Sequence, residues 1–180
     1  MISIFLSYPQ PHMSVQDKFI KAISSYLEGR GFAPRTLGVT DYDMDAPLTA
    51  IRRLMLESNG LITIAFRRAY IEKGIGKYGT DISGVKEFEI NGQWTTSPYC
   101  HIEPAMAFQL GLPILIFREA GVIADGILEK GVTGTYLPEF DLSKNPDYYL
   151  TSKEWLQVIG KWEGYVRKVA ESRGCPPKLY

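Results

Sequence analysis

Cysteine, histidine and any excess of one charge are scarce or absent in this sequence, and each shortage excludes a class of site. The 180 residues include two cysteines, Cys100 and Cys175, and two histidines. Two cysteines in different contexts make neither a disulfide framework nor a zinc site, and neither histidine has a partner at ligand spacing, so we expect no metal. Lys plus Arg equals Asp plus Glu, at 20 each, which argues against nucleic-acid binding because such proteins carry a basic excess.

Long hydrophobic runs, repeats and low-complexity tracts are also missing. No apolar run approaches the roughly 20 residues that span a bilayer, and the amino-terminal residues lack the basic region of a signal peptide. We therefore expect a cytoplasmic protein that does not contact a membrane. At 45% apolar and 22% charged residues, the composition is that of one globular domain. We place this domain at 1–174, followed by a tail at 175–180.

Apolar runs alternate with segments of helical spacing along the chain. The runs at 61–66 and 112–117 are apolar throughout and predict buried strands, as does the opening run at 2–6. The segments FAPRTL and TYLPEF predict weaker strands because each contains proline. Strands of this kind, separated by helices, are typical of a parallel sheet covered on both faces. We predict an α/β fold with five parallel strands, doubly wound in flavodoxin-like order.

One long segment interrupts this alternation. Residues 67–96 exceed a plain connection and are rich in glycine, so we interpret them as a functional insertion. Asn91-Gly92 lies between two alternating stretches, which is the strongest short-range signal for a hairpin. The insertion would thus form a β-hairpin before the third major helix. It would bring Trp94 close to the start of that helix as a lid or wall of a site.

A single acid, Glu103, lies in the apolar helix that follows the insertion. Ligands of doubly wound sheets bind at the carboxyl ends of the strands, near the switch point. Ser7, Tyr8 and Arg67 directly follow predicted strands, so we expect them at this rim. Tyr99 precedes Glu103 by one helical turn and would share its face. Position alone would leave Glu103 a solvated helical residue. Its assignment as the candidate catalytic residue comes from the motif SPYCHIE together with this rim position, and the other four are candidate binding residues.

Three motifs in order resemble the TIR (Toll/interleukin-1 receptor) domain family. IFLSY resembles the opening strand motif of the family, and AIRRLMLESNGLITIAFRRAY resembles its second helix and third strand. SPYCHIE resembles the S-x-W-C-x-x-E box, with Tyr99 in place of Trp and with Ser97, Cys100 and Glu103 at matching positions. The resemblance covers most of residues 1–140. TLGVTDYDMDAP departs from the R-D-x-x-x-x-x-G pattern of the loop through which TIR adaptors make contacts.

The resemblance implies an NAD+ glycohydrolase or ADP-ribosyl cyclase, with NAD+ as substrate and no cofactor. Glu103 would stabilise the positive charge on the ribose as nicotinamide leaves. Ser7, Tyr8 and the box residues Tyr99 and Cys100 would contact the substrate. Arg67 would either hold phosphate or be simply solvated, and Trp94 would either stack on a ring of the substrate or pack under the hairpin. The free N–H groups at the helix start would help to bind the pyrophosphate.

The resemblance also implies partners. Stand-alone bacterial TIR proteins, such as those of Thoeris-type antiphage defence, make a cyclic ADP-ribose signal for a separate effector protein. Their active sites are often completed by self-association, so we expect an oligomer in the active state.

Two other functions remain open at this point. EPAMAFQLGLPILIF resembles the nucleoside 2-deoxyribosyltransferase family, in which the acid corresponding to Glu103 is a nucleophile toward deoxynucleosides. That resemblance implies a transferase or a nucleotide N-glycosidase. A TIR scaffold without catalysis is the third possibility, and the substrate consumed distinguishes the three.

Overall fold

The computed structural model describes residues 1–133, 137–143 and 145–172, which form nine strands and five α-helices. The strands are β1 (Ile2–Ser7), β2 (Phe32–Arg35), β3 (Leu61–Ala65), β4 (Ala69–Ile71), β5 (Ile75–Gly76), β6 (Phe88–Glu89), β7 (Gln93–Thr95), β8 (Ile114–Glu119) and β9 (Glu139–Phe140). The helices are α1 (Ser14–Gly29), α2 (Pro47–Leu56), α3 (Tyr99–Gln109), α4 (Pro146–Leu150) and α5 (Lys153–Glu171).

Five of the strands form one parallel sheet in the order β2-β1-β3-β8-β9. Every residue of β3 is buried, as expected for a central strand covered on both faces. In the register of the sheet, Ile62 lies beside Leu6 on one side and Leu115 on the other. The predicted α/β fold with a doubly wound, flavodoxin-like parallel sheet is confirmed.

The helices cover the two faces of the sheet with separate cores. On one face α1 and α5 pack over β1, β3 and β8, and Phe19 and Trp155 are fully buried there. On the other face α2 and α3 pack through Leu54, Met55 and Ala107. The chain reverses direction across the sheet between β1 and β3, which leaves a crevice at their carboxyl ends. In the described parts of the chain, no helix is both long and apolar enough to span a bilayer.

The insertion between β3 and α3 forms a hairpin, but its turn is not the predicted one. Its inner arms β4 and β7 pair with each other, and its outer arms β5 and β6 do the same. Asn91 accepts a hydrogen bond from the Gly74 N–H (2.9 Å), and the Gly92 N–H donates to the Ile71 carbonyl (2.8 Å). Asn91-Gly92 therefore lies between the two ladders, with Gly92 at a φ of 70°. The predicted turn was wrong because both flanking segments pair with earlier residues rather than with each other.

Beyond β8 the described chain differs from regular strand–helix alternation. Residues 120–133 contain a single 3-10 turn, Gly126–Leu128, rather than a helix. The last part of TYLPEF pairs with β8 as an edge strand, through Glu139 and Phe140. Residues 135 and 136 of that segment, the domain boundary at 174 and the tail at 175–180 lie outside the described residues.

A buried polar network fixes the base of the insertion to the sheet. The Glu119 carboxylate, at the end of β8, accepts from the Arg67 backbone N–H (2.8 Å) and from the Gln16 side-chain amide (3.2 Å). Gln16 also donates to the Arg67 carbonyl (3.2 Å), which links α1 to the same segment. Glu119 and Gln16 are both buried, so each bond satisfies a group that water does not reach. The network thereby sets where the chain leaves the sheet on its way to α3.

Glu119→Ala removes the shared acceptor of this network and leaves the Arg67 N–H and one N–H of the Gln16 amide unsatisfied. We expect a loss of about 2–3 kcal/mol in the free energy of unfolding, measured by urea denaturation. Glu139→Ala is the matched control, because Glu139 is an exposed acid whose side chain bonds Arg118 (2.7 Å). It is expected to change stability by no more than about 0.5 kcal/mol. Equal losses in the two variants would contradict the role of the network.

Candidate active site

A cavity of about 320 Å³ lies at the carboxyl ends of β1 and β2, beneath α2 and α3. It adjoins the switch point between β1 and β3, the region where doubly wound proteins bind ligands. The described residues that line it are Phe5, Leu6, Ser7, Tyr8, Pro9, Gln10, Thr36, Leu37, Pro47, Ile51, Ser97, Tyr99 and Glu103. Of the seven sequence-predicted site residues, four lie here: Glu103, Ser7, Tyr8 and Tyr99.

Glu103 is a buried carboxyl on the cavity wall, with 8% of the residue exposed. Burial raises its pKa from the ordinary 4.5 to about 7, because the charged form loses hydration. The Ser7 hydroxyl lies near enough to oppose part of that rise. Ser7 Oγ is itself buried and has no protein partner at full hydrogen-bond distance. Glu103 is therefore present in both protonation states near neutral pH, beside a hydroxyl that is free to bond a ligand.

Thr63 is a second buried hydroxyl at the switch point, and the sequence analysis missed it. It lies beside Ser7 in the parallel register of β1 and β3, and its Oγ1 has no protein partner. Alternation along β3 puts it on the same face as Leu61 and Ala65, which pack toward α2 and α3. The one available signal was a single polar residue in the apolar run LITIA. The described chain has five buried hydroxyls without a protein partner, on Ser3, Ser7, Thr63, Thr96 and Tyr149, and Ser7 is the one among them that lines the cavity.

Two tyrosines frame the cavity. Tyr8, at the end of β1, is half-buried, and burial raises the pKa of its phenol, with the Thr36 hydroxyl opposing part of the rise. Tyr8 therefore keeps its proton at neutral pH and is a hydrogen-bond donor. Tyr99, at the start of α3, is 41% exposed at the mouth of the cavity. The Tyr99 ring is available to a planar ligand, because aromatic faces stack on one another, whereas Tyr8 packs partly against the core on the α1 and α5 face.

Three sequence-predicted site residues do not line the cavity. Arg67 Nε donates to the Ala120 carbonyl (2.6 Å), and its guanidinium lies 5.9 Å from the centroid of the Trp94 ring. Trp94 bonds Gly121 and packs on Tyr70, with ring centroids 5.0 Å apart. Both residues thus hold the hairpin to the loop after β8.

Cys100 is the third of these residues, and it is fully buried behind the cavity wall. Burial raises the pKa of its thiol to about 12, which makes it an unreactive core residue. The structure therefore gives Cys100 a packing role.

The start of α3 does not present free N–H groups to an anion, so that expectation was wrong. The Tyr99 N–H points to Ser97 Oγ (3.3 Å), and the Cys100 N–H donates to the Ser97 carbonyl (2.9 Å). The next N–H, of His101, donates to the Pro98 carbonyl (3.0 Å), and Pro98 has no N–H. The first N–H groups of the helix are thus bonded within the SPY segment, because the serine side chain and the turn carbonyls act as local acceptors.

A second cavity of about 390 Å³ lies beside the first turn of α3, lined by Thr95, Thr96, Pro98, His101, Ile102, Ile123 and Asp125. Its two ionisable residues are His101 and Asp125, with Nε2 and Oδ1 3.8 Å apart. Asp125 is 67% exposed at its side chain, so solvent screens this pair. The described residues contain no group of three or more His, Cys, Asp or Glu side chains that could hold a metal ion. The Glu103 cavity is therefore the stronger candidate for chemistry.

Comparison with known proteins adds one structural likeness. No family model and no curated protein matches the sequence. Among solved structures, the chain matches the CMP N-glycosidase BcmB from Clostridium botulinum at 16% identity, covering 89% of this chain and 98% of that chain with a TM-score of 0.49. A match at this level carries no argument about substrate or mechanism. Membership in the TIR family remains a prediction from the three motifs.

Glu103→Gln tests the burial of this carboxyl without any substrate. The unfolded chain ionises Glu103 near 4.5, whereas the folded protein keeps the proton until about 7. Wild-type stability therefore falls as pH rises through this window, and the full loss is present above 7. A rise from 4.5 to about 7 corresponds to about 3 kcal/mol. We expect the stability of Glu103→Gln relative to wild type to increase by about that amount between pH 4.5 and pH 8.

Glu28→Gln is the control for this measurement, because Glu28 is exposed on α1 and keeps its hydration in the folded state. Its stability relative to wild type should be the same at both pH values. Urea denaturation of the three proteins at pH 4.5 and pH 8 gives the comparison. A pH-independent difference for Glu103→Gln would show that the carboxyl is not desolvated in the folded protein.

Proposed function

We propose that this protein cleaves the N-glycosidic bond between a base and a ribose or deoxyribose, with Glu103 as the carboxylate that acts on the sugar. The observation that carries the proposal is a buried Glu103 beside the unpartnered Ser7 hydroxyl in a cavity at the switch point. The volume of about 320 Å³ lies at the small end of ligand pockets, which suits a nucleoside-sized ligand. Perturbed carboxyls in such positions are typical of catalytic acids and bases.

The chemistry requires a negative charge close to the anomeric carbon. As the bond from C1′ to the base nitrogen breaks, its electron pair leaves with the base and positive charge develops on the sugar ring. An ionised Glu103 stabilises this oxocarbenium-like state, or bonds C1′ to form a glycosyl ester. Water then bonds C1′ and loses a proton; where a glycosyl ester has formed, its bond from C1′ to Glu103 breaks and the carboxylate is regenerated, which completes hydrolysis. Among the described residues that line the cavity, Glu103 is the one carboxylate, so the sugar-directed role falls to it.

The two tyrosines are the proposed partners of the leaving base. A neutral base departs with excess negative charge unless a donor bonds it, and a protonated phenol is such a donor. Tyr8 keeps its proton at neutral pH because burial raises its pKa. In the proposed arrangement the base lies between Tyr8 and Tyr99 at the mouth, and the sugar lies deeper, toward Ser7 and Glu103.

NAD+ and deoxynucleosides both contain the required bond. The TIR resemblance adds NAD+ as one substrate, together with a cyclic ADP-ribose product, an effector protein, self-association and a cytoplasmic role in antiphage defence. The deoxyribosyltransferase resemblance adds deoxynucleosides, with a second base in place of water as acceptor. These finer proposals rest on motifs rather than on the cavity. A scaffold function remains the outcome if no substrate is cleaved.

Glu103→Gln keeps the shape of the side chain and removes its charge, so we expect base release to fall at least about 100-fold. The assay incubates the protein with NAD+, deoxynucleosides, ribonucleosides and their 5′-monophosphates, and detects free base and sugar products by liquid chromatography and mass spectrometry. Glu28→Gln is expected to retain full activity. Base release that persists in Glu103→Gln would contradict the proposal, and wild-type protein that consumes none of the substrates would favour the scaffold.

The pH profile identifies which form of Glu103 works. If the ionised form acts on the sugar, kcat/KM rises as pH increases through about 7. Ser7→Ala removes a group that lowers the Glu103 pKa, so the acid limb of the profile should move to higher pH. Ser3→Ala is the matched control, since Ser3 lies on the same strand but does not line the cavity. A rate that falls through pH 7 would instead assign Glu103 as an acid that protonates the base.

A further inference from the structure

We infer that the substrate of the Glu103 cavity is a nucleoside with an uncharged sugar, rather than a nucleotide or a dinucleotide such as the NAD+ that the TIR resemblance adds. The inference rests on the proposed N-glycosidic activity and names its substrate class. It comes from the side chains that line the cavity, which include one carboxylate and, among the described lining residues, no cation.

The side chains lining the cavity carry no positive charge. Of the thirteen described lining residues, none is lysine, arginine or histidine, and the one group that ionises near neutral pH is Glu103. The remaining polar side chains are neutral: Ser7, Tyr8, Gln10, Thr36, Ser97 and Tyr99. Hydroxyl and amide groups of this kind match the hydroxyls of a sugar and the edge of a base, whereas phosphate sites are built from cations or clustered N–H donors.

The backbone N–H groups at the start of α3 do not provide a phosphate site in place of cations. Phosphates commonly bind at helix starts, where successive N–H groups have no partner. At α3 the first three N–H groups are engaged by Ser97 and by the Pro98 carbonyl. A phosphate there would have to break these bonds and would still face the carboxylate of Glu103 on the same helix.

The arginine next to the cavity is committed elsewhere. Arg35 directly precedes the lining residue Thr36, but its Nε bonds the Asp41 carboxylate (3.1 Å) and its Nη1 bonds Glu57 (2.7 Å). Asp41 and Glu57 thus hold this guanidinium, and Glu57 also pairs with Arg53 (3.2 Å). Arg67, at the end of β3, is held by Ala120 and lies near the Glu119 carboxylate (3.8 Å).

The same charge that is proposed to act on the sugar therefore selects against phosphate. Ionised Glu103 attracts the positive ring of the transition state and repels a phosphate held on C5′ of the same sugar. In a water-poor cavity this repulsion is stronger than in bulk solvent. We expect kcat/KM for a nucleoside to exceed that for its own 5′-monophosphate by at least about tenfold. One contact between two like charges changes the free energy of the transition state by an amount that corresponds to a rate factor of that order.

The test uses pairs that differ by the phosphate alone: deoxycytidine with its 5′-monophosphate, cytidine with its 5′-monophosphate, and nicotinamide riboside with its 5′-monophosphate and NAD+. Full-length protein and Glu103→Gln are assayed for base release from each. A preference of tenfold or more for the nucleoside member of the cleaved pairs supports the inference. Equal or faster cleavage of the phosphorylated member overturns it. Base release from none of the compounds above the Glu103→Gln level would be a failure of the proposed function instead.

Gln10 provides a gain-of-function test of the electrostatic cause. It is exposed where the loop after β1 lines the cavity, so Gln10→Arg adds one cation at the rim without disturbing the core. We expect this variant to raise the ratio of 5′-monophosphate to nucleoside cleavage at least about fivefold, and added salt to reduce the gain. Gln10→Leu is the neutral control and should not raise the ratio. Identical ratios in Gln10→Arg and Gln10→Leu at low salt would overturn the electrostatic account.

Discussion

The desolvation of one carboxyl group, Glu103, is the constraint around which the site is organised. A buried carboxylate costs free energy unless it is bonded or protonated, and here burial dominates over the contribution of Ser7. The fold maintains this costly arrangement because β1 ends at Ser7 at the switch point and α3 passes above it. The result is an acid whose charge is poorly compensated by the protein itself. Such a group is suited to stabilising a positive charge that develops on a ligand.

The insertion, the loop after β8 and α1 together fix where the chain enters α3. The insertion leaves the sheet at Arg67 and returns through Trp94, and both residues bond or pack against the loop after β8. Glu119 and Gln16 tie the same point to α1. An arginine and a tryptophan near a strand end look like ligand contacts in a sequence, yet here they hold the frame. The lining of the cavity consists instead of Glu103 and of uncharged side chains from the ends of β1 and β2 and from α2 and α3.

The sequence predicted those features that depend on local pattern. The apolar runs identified the central strands, and the lone acid in an apolar helix identified Glu103. Features that depend on distant pairing were missed or misplaced. Asn91-Gly92 has the composition of a hairpin turn, but β6 pairs with residues 12 to 14 positions earlier and β7 with residues 22 to 26 positions earlier. Thr63 and Thr36 lie beside or in the cavity lining only because β1 pairs in a fixed register with β3 and β2. No pattern in the linear sequence encodes that pairing.

The most direct measurement of the central claim is a crystal structure of Glu103→Gln with an intact nucleoside bound, since this variant should bind the substrate and not cleave it. The account predicts that the sugar occupies the cavity at the ends of β1 and β2, with its anomeric carbon about 3–3.5 Å from the nearest side-chain atom at position 103. It also predicts the base against Tyr8 or Tyr99. A nucleoside bound solely beside His101, or with its base toward position 103 and its sugar in solvent, would contradict the role of Glu103.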